Sequence, residues 1–213
     1  VTFVYVPPID PPVILHEDAR IIVVDKPSGL LSVPGRGEDK ADCLIARLAV
    51  MFPDVLLVHR LDLDTSGVMV FARDKETQVN LSQQFEKRLT KKLYVARLHG
   101  SVAGESGTVD LPLIVDWPNR PRQHVNHETG RPSQTDWQVT WRSDTETRVN
   151  LMPVTGRTHQ LRVHMMAMGH PILGDPLYAE PSEHTRLMLH AELLRLRHPD
   201  TGRSITFTAP APF

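Results

Sequence analysis

The sequence predicts an α+β fold built on a mostly antiparallel sheet, and three observations predict it. Strand-like runs, either continuously apolar or alternating, recur along the whole chain, whereas helical spacing of apolar residues shows in only a few places. Those helical stretches do not alternate regularly with the strands, as a parallel βαβ sheet would require. No internal repeat or low-complexity linker divides the 213 residues, so a single domain spanning 1–213 is expected.

The opening, VTFVYVPPIDPP, is proline-rich and reads as an extended lead-in. IIVVDKPSGLLSVPG reads as a buried strand, a turn at Lys26-Pro27-Ser28-Gly29 and a second short strand. KADCLIARLAVMF carries apolar residues near helical spacing and stops at Pro53, because the residue before a proline is driven out of the helical region. Two apolar strand-like runs follow, VLLV and VMVFA, separated by HRLDLDTSG. Asp74 is placed to cap a helix reaching about Leu89, with Leu81, Phe85 and Leu89 at fourfold spacing. KKLYVARLHG alternates as a strand does, with Leu93, Val95 and Arg97 on one face and Tyr94, Ala96 and Leu98 on the other. Further strands are expected at GTVDLP, RQHVNHE, SQTDWQVTW, TRVNLMPV, RLMLHAELLRL and SITFTA. THQLRVHMMAM is the one convincing later helix, capped by Thr158 and ended by Gly169.

A hydrophobic fraction of 40% and a charged fraction of 23% are those of a globular protein and argue against disorder. No apolar run approaches the ~18 residues that a membrane-spanning helix needs, and the opening lacks the basic and apolar regions of a secretory signal. The chain begins at Val1 rather than Met, so a front segment is open to having been trimmed. The single cysteine, Cys43, rules out an internal disulfide and a thiolate zinc cluster and fits a reducing, cytoplasmic setting.

Net charge is −1, which gives no global argument for a polyanionic partner. The distribution is uneven: residues 1–58 hold 5 Lys+Arg against 8 Asp+Glu, and residues 59–213 hold 19 against 17. EKRLTKKLYVAR concentrates five basic residues against one acid, and NRPRQHVNHETGR adds Arg120, Arg122 and Arg131 with two histidines. Such stripes either meet phosphates or are simply solvated.

Two polar places do not read as fold. Asp62 ends a strongly apolar strand, where a carboxylate is costly unless cations or donors meet it. Thr65-Ser66-Gly67 beside it supplies the small groups of a tight, backbone-dense loop. In PVTGRTHQLRVH, Arg157 sits just before a helix start, where the helix dipole disfavours a cation unless an anion lies opposite. A buried Asp62–Arg157 pair is one resolution, a conjecture at this stage, and would hold the aspartate ionised at neutral pH.

Other chemistries find no support. His159 and His164 are five apart and share no helix face, and neither HExxH nor CxxC occurs, so no metal site is expected. Asp62 and Asp64 lie in one loop, whereas a glycosidase pair flanks its substrate from separated elements. GxxxxGK[ST], GxGxxG and GxSxG are absent.

HRLDLDTSG resembles the HRLDxxTSG signature of the RluA-type pseudouridine synthases, with Leu63 and Asp64 in its variable slots. The resemblance extends through DKPSGLLSVPG, KKLYVA, ETGRPSQT, TGRTHQLRVHM, GHPILGDPLY and LMLHAE. VDWPNRPRQ is similar to the RluA subgroup itself, rather than to relatives with an additional N-terminal S4 RNA-binding domain, and no S4 domain is seen. The resemblance implies the pseudouridine synthase fold: a mixed, mostly antiparallel sheet with flanking helices and a central catalytic cleft. It implies a cofactor-free, cytoplasmic and monomeric isomerase that acts on uridine within folded RNA. Such enzymes cleave the bond from ribose C1′ to uracil N1, turn the base and rejoin C1′ to C5. By the resemblance Asp62 is the essential residue, either adding to C1′ or removing the 2′ proton. Tyr94 stacks on the uracil and is a candidate to take the C5 proton, and Arg157 pairs with the aspartate. Leu189 packs against the base, Arg60 enters the RNA stack in place of the flipped nucleotide, and His59 of the same loop joins the substrate-binding set. The substrates implied are a 23S rRNA hairpin and the anticodon stem-loop of tRNAs. The alternative is a catalytically inactive RNA-binding module or RNA chaperone on the same fold, against which intact Asp62, Tyr94 and Arg157 speak.

Overall fold

The structure is a computed structural model that describes residues 4–213; the first three residues of the proline-rich lead-in lie outside them. Among the described residues are twelve β-strands and three α-helices, an α+β arrangement with helices and strands not in regular alternation. The chain forms two compact units, residues 1–91 with 191–212, and residues 92–190 with 213.

In the first unit, β1 (Val13–Glu17) pairs antiparallel with β2 (Ile21–Lys26), and β2 with β4 (Ser66–Ala72) in a register that sets Ile21 opposite Ala72 and Lys26 opposite Gly67. β3 (Leu56–Leu57) adds two residues to the end of β4, and β11 (Leu189–Arg197), which begins in the second unit, pairs with β12 (Ser204–Thr208). β4 lies between β2 and β11 in the strand order. Ile21, Ile22, Val23 and Val24 are fully buried, which explains their unbroken apolar run. Burying each such side chain contributes about 1.5–3 kcal/mol. β1 alternates between exposed and half-buried residues, so the lead-in ends in a strand that its prolines conceal.

Helix α1 (Leu44–Met51) starts later than the apolar pattern suggests, with Cys43 extended at its N-cap, and stops before Pro53 as expected. Helix α2 (Lys75–Glu86) is capped by Asp74, whose carboxylate accepts from the Thr77 amide at 2.8 Å. It does not reach Leu89. Arg88 takes a left-handed φ of 58°, and the Arg88 and Leu89 amides return to the Phe85 and Gln84 carbonyls, a Schellman closure that leaves Leu89 exposed.

In the second unit the strand order is β5 (Lys91–His99), β10 (Glu146–Pro153), β9 (Gln134–Arg142) and β6 (Ser106–Asp110), each pair antiparallel. β7 (Leu113–Val115) and β8 (Gln123–Val125) form a separate hairpin. Helix α3 (Gln160–Ala167) lays Leu161 and Met165 into the core made by Ala96, Leu98, Val149 and Leu151. Its N-cap is His159 at φ 53°, not Thr158, because the turn before it closes through the Gln160 side chain rather than through a hydroxyl cap. Gly169, at φ 84°, ends it as expected, with the Gly169 and His170 amides closing on Met166 and Met165.

Candidate active site

The loop from His59 to Thr65, between β3 and β4, is gripped from one side by the DKPSGLLS segment. Lys26 is fully buried, and its ammonium donates to the carbonyls of Leu30 (2.6 Å), Pro27 (3.0 Å) and Leu63 (3.0 Å). The Gly29 amide donates to the same Leu63 carbonyl at 3.0 Å. Ser28 Oγ donates to the Asp64 carbonyl at 2.6 Å, and Ser32 Oγ to the Leu61 carbonyl at 2.7 Å while accepting from the Leu61 amide. Residues on both sides of Asp62 therefore have their carbonyls held, and the half-buried carboxylate projects from a backbone with little freedom. The expected short strand after Gly29 does not form, because its carbonyls are taken elsewhere: that of Leu30 by Lys26, and those of Leu31 and Ser32 by the Leu44 and Ile45 amides at the start of α1.

At the start of the loop, His59 Nε2 accepts from the Val70 amide at 3.1 Å, and the ring stacks on Phe85 with centroids 4.5 Å apart. These contacts brace the loop's first residue. Arg60, next to it, is exposed. At the other end Gly67 has φ +116° and lies against β11: a Cβ there would stand 2.3 Å from the Ala191 carbonyl oxygen. The TSG portion of the motif is thus a close approach of two backbones.

The second unit carries the other three expected residues. Tyr94, on β5 opposite Leu151, is half-buried and packs against the same apolar cluster that contains Leu189, which is almost fully buried at the start of β11. Arg157 is exposed, and its Nε donates to the Pro132 carbonyl at 3.3 Å. Its backbone is placed by Gln160, a buried amide with every polar atom engaged. Oε1 accepts from the Arg157 amide (3.0 Å) and Thr155 Oγ1 (2.6 Å), and Nε2 donates to the Gln134 carbonyl (2.9 Å) and Thr135 Oγ1 (3.0 Å). Thr135 in turn bonds His164 Nδ1 at 2.9 Å, and His164 Nε2 lies 3.1 Å from the Leu111 carbonyl, which can only accept. His164 is therefore the Nε2-protonated neutral tautomer, and burial lowers its pKa.

Lys92 shares a face of β5 with Tyr94, and its ammonium lies 3.8 Å from where a Cβ on Gly156 would be, beside Arg157. Burial lowers its pKa as well. Sequence reasoning missed Lys26, Ser28, Ser32, Gln160 and Lys92 as parts of the site. The one available signal was Lys26, a charge that with Asp25 closes the apolar run of residues 21–24.

The six expected residues thus fall three and three: His59, Arg60 and Asp62 on the first unit, Tyr94, Arg157 and Leu189 on the second. A tightly held carboxylate can act as nucleophile or base, and an aromatic ring against an apolar wall can hold a planar base.

Comparison with known proteins gives these features a context. A family model described as RNA pseudouridylate synthase matches residues 20–167. The chain is 53% identical over 214 residues to the dual-specificity RNA pseudouridine synthase RluA of Escherichia coli K12, covering 98% of each chain. It is 51% identical over 205 residues to the protein of the same name from Yersinia pestis, covering 94% of this chain and all of the relative. Among solved structures, human RNA pseudouridylate synthase domain containing 1 superposes with a TM-score of 0.77 at 30% identity, covering 95% of this chain and 84% of that one.

Proposed function

We propose, from the premise that this chain belongs to the RNA pseudouridylate synthase family, that Asp62 is its essential residue and that it acts on a uridine turned out of an RNA stem-loop. As a member of that family it is an isomerase whose substrate is RNA. The observation that carries the reading is that the family match spans the loop in which Asp62 is clamped by Lys26, Ser28 and Ser32.

A stacked uridine cannot be rotated in place, so it leaves the helix at a cost of a few kcal/mol. Arg60, exposed on the same loop, fills the gap by stacking and phosphate contact. The bond from C1′ to N1 breaks, with Asp62 either adding to C1′ or removing the 2′ proton. The uracil turns and C1′ bonds to C5. The proton lost at C5, for which Tyr94 is the acceptor, matches the one gained at N1, so the reaction balances with no cofactor. Leu189 and the Tyr94 ring keep the detached base from escaping, and Arg157 pairs with the Asp62 carboxylate. His59 supports the loop that meets the RNA. Both compact units serve one catalytic domain, acting as a cytoplasmic monomer. Because the relatives are dual-specificity enzymes, we assign both a 23S rRNA hairpin and the tRNA anticodon stem-loop as substrates.

Tritium released from C5-labelled uridine in RNA, with no free uracil, reads this reaction directly. Asp62→Asn abolishes the release while RNA binding persists. Full activity in that variant refutes the role given to Asp62, and release of free uracil indicates a hydrolase instead.

A further inference from the structure

The β7–β8 hairpin takes no part in the reaction above, yet its tip has an unusual make-up. Residues 116–122 read DWPNRPR and close on themselves. The Asp116 amide donates to the Arg122 carbonyl (2.9 Å), the Asn119 amide to the Asp116 carbonyl (3.1 Å) and the Arg122 amide to the Asn119 carbonyl (3.0 Å). The Asp116 carboxylate accepts from Asn119 Nδ2 at 3.0 Å. On this self-satisfied turn Trp117 is 63% exposed, and the Arg120 guanidinium stands 4.7 Å from the centre of its ring. Neither Arg120 nor Arg122 forms an ion pair among the described residues.

The hairpin is also tied to the loop that carries Arg157. The Gln123 amide donates to the Tyr178 hydroxyl at 2.7 Å, and that hydroxyl shares a 2.8 Å hydrogen bond with His159 Nδ1, two residues after Arg157. Arg122 lies 5.4 Å over the Tyr178 ring, and Val125 packs with Leu113 and Val163 of α3. The tip is therefore held in register with Arg157.

An indole left in water, with a guanidinium on its face and a second arginine in the same turn, matches an unpaired nucleotide: base on ring, phosphate on arginine. We propose that Trp117, Arg120 and Arg122 form a second RNA-binding site, in which Trp117 stacks on an unpaired base of the substrate other than the reacting uridine. The site rests on the RNA-isomerase reading and extends it to substrate choice, since only RNAs with an unpaired base at that distance gain the contact.

The test uses the full chain and an RNA stem-loop transcribed from a tRNA anticodon arm. In a Trp141→Phe background, emission comes from Trp117 and the buried Trp137; RNA quenches it, and Trp117→Phe removes the quench. Asp62→Asn keeps the quench. Trp117→Ala raises KM for the stem-loop about tenfold, the usual scale for losing one stacked base, with kcat within about twofold, and Trp117→Phe restores most of the affinity. An active enzyme whose KM is unchanged by Trp117→Ala overturns the site while leaving the isomerase reading intact. A wild-type chain that makes no pseudouridine in any RNA overturns that reading itself. A change of oligomeric state in Trp117→Ala with KM unaltered assigns the tip to a protein contact and also overturns the proposal.

Discussion

Gly67 has room for a hydrogen atom and nothing more. Its φ of +116° is one that side-chain-bearing residues rarely adopt, and a Cβ would overlap the Ala191 carbonyl and amide at 2.3 and 2.6 Å. Gly67→Ala is therefore expected to destabilise the chain by roughly 1–3 kcal/mol or more, as overpacking does, and urea denaturation measures it. At the same scale, Asp62 and its signature were legible because charged residues between two apolar runs demand a reason, although β3 ends at Leu57 and Asp62 lies in the loop beyond it rather than at a strand end. The grip of Lys26 was not: its partners are carbonyls, which every residue possesses, and Leu63 lies 37 residues away. Tyr94 and Leu189 were legible only through family motifs, since alone each is an ordinary core residue.

Helix α3 shows what an element can hide. Six consecutive residues from Gln160 to Met165 are buried, polar ones among them, so no solvent face marks it as amphipathic. Arg162 and Asp175 meet inside as a two-pronged pair at 2.8 and 2.7 Å, both almost fully buried, and Asp175 also accepts from the Leu177 and Tyr178 amides. Arg162→Met leaves that carboxylate buried without its cation and is expected to cost about 3–5 kcal/mol, read as a lowered urea midpoint. The helix ends repeat the theme. Gly169 announced the stop of α3 because glycine reaches left-handed φ freely, whereas Arg88 ends α2 with the same geometry and no residue signal.

Across the larger assembly of strands, Asp18 joins the β1–β2 turn to the turn between β11 and β12. Its carboxylate takes the Arg20 and Ile21 amides at 2.7 and 2.9 Å, His16 at 2.7 Å and His198 at 3.0 Å. Burial pushes its pKa up, but those four hydrogen bonds outweigh it and hold the carboxyl well below the usual carboxylate range. A carboxylate with a depressed folded pKa stabilises the fold above its unfolded value of about 3.9, and that contribution is lost as pH falls through the folded value. Asp18→Asn therefore lowers stability at neutral pH, and its gap from wild type narrows as pH drops below about 4. Urea denaturation as a function of pH measures it, and a gap independent of pH refutes it. At this scale the charge is uneven, acidic before residue 59 and slightly basic after it. The proposed RNA contacts accordingly rely on particular arginines, Arg60, Arg120 and Arg122, rather than on an overall positive field.

By itself the sequence determined the fold class and the family and nominated the residues proposed to carry the chemistry, because periodicity and motif spacing are properties of neighbours along the chain. Only the tertiary structure decided what holds those residues still: the carbonyls on Lys26, the Gln160 amide behind Arg157, the backbone against Gly67 and the hairpin tied to His159. Lys26 reaches Leu63, Gln160 reaches Gln134 and Thr135, Gly67 meets Ala191 and Gln123 meets Tyr178. These contacts join segments remote in the chain, most of them through backbone groups that carry no distinctive side-chain signal, so they exist only once the strands are in register.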